Sequence, residues 1–228
     1  MYKLLKKISL IVEGFSAFMI AECGFLLRGR LSGVQGIIPY AFIAAGFYFL
    51  ATTFVELDWL DKKVVVYMDI DGCLATWFAD ATMEQLQTQE YYEQLPPHWN
   101  LVLAVKQMQK LLDVTGLGKY FNTPAQKGKR IFLRNVGLGD MPVIFVPYED
   151  DKSNYIKFRP DTINVLVDDY TPNLFEWESH PSGRNVAVKF RNGINGTKGT
   201  WGNRPSVRYD DPPEKIVQTI LRAAYERR

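Results

Sequence analysis

The chain of 228 residues is long enough for one α/β domain of moderate size plus an additional segment, and its 47% apolar content supplies a sizeable core. A formal net charge of +2, with basic residues only in short clusters, argues against a nucleic-acid-binding stripe, so no duplex binding is expected. The two cysteines, Cys23 and Cys73, lie in unrelated contexts, which argues against a disulfide framework and favours a reducing compartment.

The first 60 residues contain two long apolar stretches. Residues 8–27 include Glu13 and Glu22 near their ends, whereas residues 31–55 contain no charged side chain. About 20 apolar residues cross a bilayer core, although a carboxylate at mid-depth costs roughly 2.5–3.5 kcal/mol. We therefore expect segment 1–60 to form a transmembrane helical hairpin that associates with the membrane through residues 8–55. The alternative is a pair of buried helices that pack on the following domain.

The charges around these stretches bear on orientation. Residues 28–30 form a short Arg-Gly-Arg link, so a hairpin would place the N-terminus and the following domain on the same side. The early lysines Lys3, Lys6 and Lys7 favour a cytoplasmic N-terminus, although the two arginines of the link compete with them. The expected location is a membrane-associated protein with a cytoplasmic catalytic domain, and a soluble cytoplasmic protein is the alternative.

A continuous apolar run at residues 64–68, Val-Val-Val-Tyr-Met, precedes the first acidic motif. Such a β-branched run is typical of a strand buried on both faces, as in a parallel sheet. Asp69 and Asp71 follow directly, and alternation along a strand would put them on the same face. Because ligands in open α/β sheets bind at the carboxyl ends of strands, these aspartates are candidate site residues.

The rest of the chain alternates helical and strand patterns, which predicts an α/β fold with a mainly parallel sheet. Pro96-Pro97 and Pro212-Pro213 mark two of the boundaries. The predicted elements, in chain order, are a helix at 75–95, a helix at 101–112, a turn at 115–118, a helix at 127–136, strands at 143–146, 163–167 and 186–190, a glycine-rich loop at 193–202 and a helix at 214–227.

A second acidic pair, Asp168 and Asp169, follows the strand predicted at 163–167. Converging carboxylates repel one another, and a hard cation such as Mg²⁺ relieves that repulsion because it prefers oxygen ligands. A carboxylate can also attack phosphorus, and a second one can protonate the leaving oxygen and then activate water. Alone, Asp-x-Asp-Gly is equally typical of a turn, but the preceding strand and the second acidic pair favour a functional site.

Two segments resemble motifs of the haloacid-dehalogenase-like (HAD-like) phosphohydrolases. VVVYMDIDGCLA at 64–75 is similar to their first motif, and INVLVDDYTPNL at 163–174 is similar to their fourth. The resemblance covers about residues 62–202 and is strongest at 142–201, with the 5'(3')-deoxyribonucleotidase-like branch of phage and bacterial proteins. It implies a Rossmannoid three-layer α/β/α domain over 61–228, with a mainly parallel sheet and a small helical cap at about 75–110.

The resemblance also implies roles for the acidic residues. Asp69 would be the nucleophile and Asp71 the general acid and base. Mg²⁺ would be held by Asp69, the backbone carbonyl of Asp71 and Asp168, with Asp169 assisting.

For the phosphoryl group, the resemblance implies Thr115, with Gly116 beside it, as the second-motif ligand. Lys129 would be the third-motif lysine, Lys127 is its rival, and Lys152 would be a second phosphate-side lysine. A cation is expected beside the phosphoryl group because the negative charge that develops on this group must be neutralised. The helix predicted to end at 112 leaves little room for a strand before Thr115, which departs from the family pattern.

The expected function is hydrolysis of a small phosphorylated substrate through an aspartyl-phosphate, with Mg²⁺ as cofactor and nucleoside monophosphates as the candidate substrates of a 5'-nucleotidase. One alternative keeps the chemistry and changes the substrate to a sugar phosphate or a nucleic-acid end. Another is a membrane-tethered HAD-like binding domain with little or no turnover, which the cramped second motif motivates.

Overall fold

The computed structural model describes residues 2–27, 37–61, 63–181, 183–194 and 201–226. The chain divides into two compact units, an N-terminal helical one and one that spans Lys63–Glu226. The second unit contains all the predicted site residues.

The N-terminal unit is a pair of helices, α1 at Tyr2–Leu27 and α2 at Ile37–Asp61. The two helices approach each other closely where Gly46 lies against α1. A Cβ at Gly46 would lie 2.6 Å from the Ala21 Cβ and 2.8 Å from the Ala17 carbonyl oxygen. Glycine at this position therefore permits the contact between the two backbones.

The sequence predicted that this unit crosses a membrane as a hairpin over residues 8–55. Helices do occupy both stretches, as expected. Within the described parts of the chain, however, no helix combines the length and the apolar character that a bilayer crossing requires. The predicted link at 28–30 lies outside the described residues.

The second unit is built on one sheet of parallel strands. Its order is β3-β2-β1-β4-β5-β6 among the described residues, and every neighbouring pair is parallel. The strands are β1 Lys63–Met68, β2 Asp113–Tyr120, β3 Val143–Pro147, β4 Thr162–Asp168, β5 Arg184–Arg191 and β6 Ser206–Arg208. The predicted α/β class with a parallel sheet is confirmed, and the arrangement is Rossmann-like.

The central strands are the most apolar ones because both of their faces are covered. All seven residues of β4 are buried, and Val64, Val66 and Met68 of β1 are buried as well. Parallel strands covered on both faces read as continuous apolar runs, which explains why the sequence located β1 and β4 correctly. Tyr67 packs against Trp177 with ring centroids 5.1 Å apart, inside the main core cluster.

Helices lie between the strands and after the last of them. They are α3 Gln89–Glu93, α4 Trp99–Met108, α5 Thr123–Asn135, α6 Thr171–Ser179 and α7 Pro213–Tyr225. The Asn122 side chain accepts a 2.9 Å hydrogen bond from the Ala125 N–H, which caps the first turn of α5. The helices predicted at 127–136 and 214–227 are thus present as α5 and α7, each beginning slightly earlier. Residues 195–200 of the predicted glycine-rich loop lie outside the described residues.

The prediction of a helix at 75–95 is wrong for most of its length. Ala75 forms isolated bridges with Asp71 and Pro97, and the α-helical part is limited to α3. Thr82 and Gln85 exchange hydrogen bonds between side chain and backbone, at 2.8 and 3.2 Å. This reciprocal pair is a capping box, but it opens only the short 3₁₀ turn Gln85–Gln87, after which Thr88 caps the separate helix α3.

The prediction of a turn at 115–118 is also wrong, because these residues are the middle of β2. The preceding helix, α4, ends at Met108 rather than at 112, which leaves room for the full strand. Glycine at 118 reflects close packing, since a Cβ there would lie 2.8 Å from the Ile70 Cδ1. In the sequence alone, a glycine that a strand needs for close packing cannot be distinguished from a glycine that forms a turn.

Candidate active site

The two acidic pairs lie side by side at the carboxyl edge of the sheet. Strands β1 and β4 are neighbours in register, with Met68 opposite Val167, and the Asp69 N–H donates to the Val167 carbonyl at 2.9 Å. The chain order along the sheet reverses between these two strands. Ligands of open α/β sheets bind in the crevice at such a switch point.

The loop after β1 is a tight turn that depends on Gly72. This residue has φ +78°, and the Ala75 N–H donates to the Ile70 carbonyl at 2.8 Å across the turn. A Cβ at Gly72 would lie 2.2 Å from Asp169 Oδ2. The turn therefore needs glycine both for its backbone conformation and for the close approach of the second acidic loop.

Lys152 lies between the nucleophile candidate and the second acidic pair. It follows β3 in a short 3₁₀ turn, Lys152–Tyr155, and its side chain is 1% exposed. Its Nζ is ion-paired with Asp69 and lies 2.7 Å from Asp168 Oδ2. Burial alone would lower the pKa of Lys152, but Asp168 and Asp69 raise it above its ordinary value, so the ammonium stays charged.

Even with this lysine, the carboxylates are short of positive charge. Burial raises the pKa of Asp69 to about 7, and Asp168 and Asp71 add to the shift while Lys152 opposes it. Burial, followed by repulsion from Asp69, raises the pKa of Asp169 well above its usual range. A divalent cation beside these oxygens would favour their charged forms.

Asp168 is the last residue of β4, and donors at the start of α6 hold its carboxylate. Its Oδ1 accepts a 2.7 Å hydrogen bond from the Tyr170 N–H, and its Oδ2 accepts a 3.0 Å bond from Asn173 Nδ2. Together with Lys152, these donors fix the carboxylate orientation in a side chain with no solvent exposure. Asn173 was not predicted as a site residue, because its role depends on how α6 folds back onto β4.

Lys129 contacts Asp71 and not Asp69. Its buried Nζ donates to the Asp71 carboxylate and to the Lys119 carbonyl, and it lies 4.5 Å from the centroid of the Tyr92 ring. Lys127, two residues earlier on α5, is exposed. Residues two apart on a helix face different directions, so of these two lysines only Lys129 reaches the acidic residues.

Thr115 and Gly116 do not reach the site. They lie in the middle of β2, paired with Tyr67 and Met68 of β1, before the carboxyl end of the strand. Neither lines the cleft above the aspartates. The predicted assignment of these two residues to the phosphoryl group is therefore corrected, because the strand continues beyond them to Tyr120.

A cleft of about 480 Å³ opens above the acidic edge. Its floor carries both acidic pairs with Lys129 and Lys152, and Trp77, Phe121, Tyr148 and Tyr170 contribute aromatic side chains to its lining. The rings of Phe121 and Tyr148 are stacked, with centroids 4.2 Å apart and an interplanar angle of 26°.

Within the segment predicted as the cap, Trp77 lines this cleft, whereas Phe78 is exposed and does not. Lys119 also lines the cleft, and its Nζ lies 5.9 Å from the centroid of the Tyr148 ring. Lys119 and Phe121 were missed because the strand β2 was itself missed: Lys119 lies near its end, and Phe121 follows it directly. Tyr148 follows β3 directly and was not singled out.

The donors at this edge fit a hard divalent cation. Ligand atoms of Asp69, Cys73 and Asp169 lie within 4.8 Å of one another, and the buried Asp71 Oδ1 has no hydrogen-bond partner among the described residues. Burial and the neighbouring Asp169 raise the pKa of Cys73 well above its ordinary value, so its thiol stays protonated and ligates poorly. Carboxylate oxygens are the ligands that remain, and Mg²⁺ prefers them.

No family model matches this chain, and no curated protein matches it. Among solved structures, one titled "Structure of DsGPDH of Dunaliella salina" is similar, with 16% identity and a TM-score of 0.43. The similarity covers 68% of this chain and 28% of that chain.

Proposed function

We propose that the Lys63–Glu226 unit is a Mg²⁺-dependent phosphomonoester hydrolase of the HAD-like type. One observation carries the proposal. Asp69 and Asp71 follow a central parallel strand, and each is ion-paired with its own buried lysine, Lys152 and Lys129. A nucleophile and an acid–base group of identical chemistry need different surroundings to take different roles, and here Lys152 is shared by Asp69 and Asp168, whereas Lys129 contacts Asp71.

The proposed reaction has two steps, each assigned to residues of the cleft. In the first, an Asp69 oxygen forms a bond to phosphorus while the ester bond breaks, and Asp71 gives its proton to the leaving oxygen. In the second, Asp71 takes a proton from a water molecule that attacks the aspartyl-phosphate. Inorganic phosphate leaves and the Asp69 carboxylate is restored.

The cations of the site neutralise the phosphoryl charge that builds up in both steps. Lys152 is ion-paired with Asp69, where the transferred group would be bound, and Lys129 is ion-paired with Asp71. Asp69, Asp168 and the Asp71 carbonyl would hold Mg²⁺, with Asp169 assisting. The ion would supply electrostatic stabilisation of the phosphoryl oxygens.

For the substrate we propose a nucleoside monophosphate. The stacked Phe121 and Tyr148 rings line the same cleft as the acidic floor, as does Trp77 of the proposed small cap. A base stacked on an aromatic ring gains about 1–3 kcal/mol, and this gain is not available to an aliphatic sugar phosphate. The cleft volume of about 480 Å³ lies in the range of small-molecule sites.

The alternative of a binding domain without turnover was motivated by a second motif that looked cramped. Strand β2 has its full length, with eight residues from Asp113 to Tyr120, so the strand itself is not truncated. The alternative stays a prediction that the activity assay decides.

The test is an activity assay on the purified full chain with nucleoside monophosphates, in Mg²⁺ and after its removal with a chelator. We expect Mg²⁺-dependent release of phosphate, which Asp69→Asn abolishes. Asp140→Asn makes the same chemical change at an exposed turn and serves as the matched control. Equal turnover by Asp69→Asn and Asp140→Asn would contradict the nucleophile assignment, and no turnover by the unaltered chain would favour the binding domain.

A further inference from the structure

Asn192 connects the two acidic loops from the neighbouring strand. It follows β5 directly and is 5% exposed. Its Nδ2 donates to the Gly72 carbonyl at 3.0 Å and to Asp169 Oδ2 at 2.9 Å. Its Oδ1 accepts a 2.9 Å hydrogen bond from the Ile194 N–H.

These contacts suit an amide side chain specifically. A primary amide has two N–H donors and one carbonyl acceptor, so Asn192 can serve one acceptor in each acidic loop. The bond from Ile194 occupies the carbonyl and thereby directs the donors toward Gly72 and Asp169. An aspartate would keep the bond from Ile194 but would lose both donor bonds.

The backbone of the second acidic loop is held by a different residue. Lys189, three residues earlier on β5, donates from Nζ to the Asp169 carbonyl at 2.8 Å and to Thr171 Oγ1 at 2.7 Å. The main chain at Asp169 is thus fixed by Lys189, whereas Asn192 contacts its carboxylate. Changing Asn192 should remove this contact from the Asp169 carboxylate, while the loop backbone keeps its support from Lys189.

We propose that Asn192 is a positioning residue for the metal-binding carboxylates. It holds the Asp169 carboxylate against the Gly72 turn and so fixes the spacing between the loop that carries Asp69 and the loop that carries Asp168. The proposal rests on the proposed function, because it concerns the same metal site. Partners that orient metal ligands commonly change metal affinity by about 10–100-fold when they are removed.

The test measures Mg²⁺ binding to the full chain by titration calorimetry without substrate, so that the readout does not depend on turnover. The variants are Asn192→Ala and Asn192→Asp, compared with Asn135→Ala and Asn135→Asp at an exposed position at the end of α5. We expect both Asn192 variants to bind Mg²⁺ roughly 10–100-fold more weakly than the unaltered chain. The Asn135 variants should bind it equally well.

Three results would overturn the proposal. Unchanged Mg²⁺ affinity with a lowered melting temperature would reduce Asn192 to a structural role. Tighter binding by Asn192→Asp would mean that added negative charge, rather than the two donor bonds, controls affinity. In both cases the proposed hydrolase would stand, whereas a failure of the unaltered chain to bind Mg²⁺ would remove the metal-dependent function together with this proposal. If Asn192→Ala does not fold, Asn192→Asp alone decides, because it keeps the bond from Ile194.

Discussion

Replacing Lys152 with methionine removes the buried ammonium and keeps a side chain of similar length. The ammonium is ion-paired with Asp69 and Asp168, and all three side chains are almost completely buried. Removing one partner of a buried ion pair typically costs about 3–5 kcal/mol, because the remaining charge has no compensation. We expect a loss of unfolding free energy that approaches that range for Lys152→Met in metal-free buffer above about pH 7, where the Asp69 carboxyl is ionised.

The loss should depend on pH in a direction that the carboxyl groups determine. The pKa of Asp69 is already raised to about 7, and Lys152 is the group that opposes this shift. Without Lys152 the folded-state pKa moves further upward, while the unfolded value stays near 3.9. A group with a raised folded pKa contributes stability at low pH and loses it as the pH rises through that folded value. The deficit of the variant should therefore be small at about pH 5 and grow above about pH 7.

Urea unfolding of the full chain, followed by circular dichroism across this pH range with a chelator present, measures the effect. Lys157→Met makes the same substitution at an exposed position five residues later and should change the unfolding free energy by less than about 0.5 kcal/mol. A deficit for Lys152→Met that stays constant across the pH range, or that equals the deficit of Lys157→Met, would refute the reasoning.

Three further predictions concern the loop, the cleft and the metal. Gly72→Ala should lower the free energy of unfolding in urea more than Gly202→Ala does. Both glycines have positive φ, but only at Gly72 would the new Cβ meet Asp169 Oδ2. Equal losses of unfolding free energy would contradict this contact. Phe121→Ala should raise KM for nucleoside monophosphates by roughly 5–150-fold, as expected for a lost stacking contact of about 1–3 kcal/mol, and leave KM for an aliphatic phosphomonoester nearly unchanged. Mg²⁺ affinity, measured by calorimetry, should rise with pH through about 7, because the Asp69 carboxyl must lose its proton before it ligates. An affinity independent of pH would contradict either the raised pKa of Asp69 or its role as a ligand.

The parts of the fold that the sequence predicted correctly are those in which local pattern and burial agree. Strands β1 and β4 are covered on both faces, so their sequences are continuous apolar runs. Locating these two strands in the sequence also located the aspartates that follow them. The choice between Lys127 and Lys129 was left open by the spacing, and the burial of one face of α5 separates them.

The errors arose where tertiary contacts override local signals. Gly116 and Gly118 suggested a turn, yet β2 uses these small residues to pass close to Met141 and Ile70. Because of that error, the second motif was assigned to residues in the middle of β2, and Phe121, which follows the strand and lines the cleft, was not recognised.

Other contacts of the site could not be found from local pattern at all. Asn192 is 120 positions away from Gly72, and Lys152 is 83 positions away from Asp69. Lys152 was predicted as a phosphate-side lysine, but its simultaneous contact with Asp69 and Asp168 depends on the placement of β3 relative to β1 and β4. Contacts between residues this far apart require the sheet order, which no local pattern encodes.

The central claim is that Asp69 accepts the phosphoryl group. The most direct measurement is acid-quench mass spectrometry of the full chain mixed with Mg²⁺ and a nucleoside monophosphate, with Asp71→Asn included to slow hydrolysis of the intermediate. A phosphoryl group on the peptide that contains Asp69, absent from Asp69→Asn, is the predicted result. Phosphate release without any phosphorylated Asp69, or a phosphoryl group that persists in Asp69→Asn, would contradict the claim.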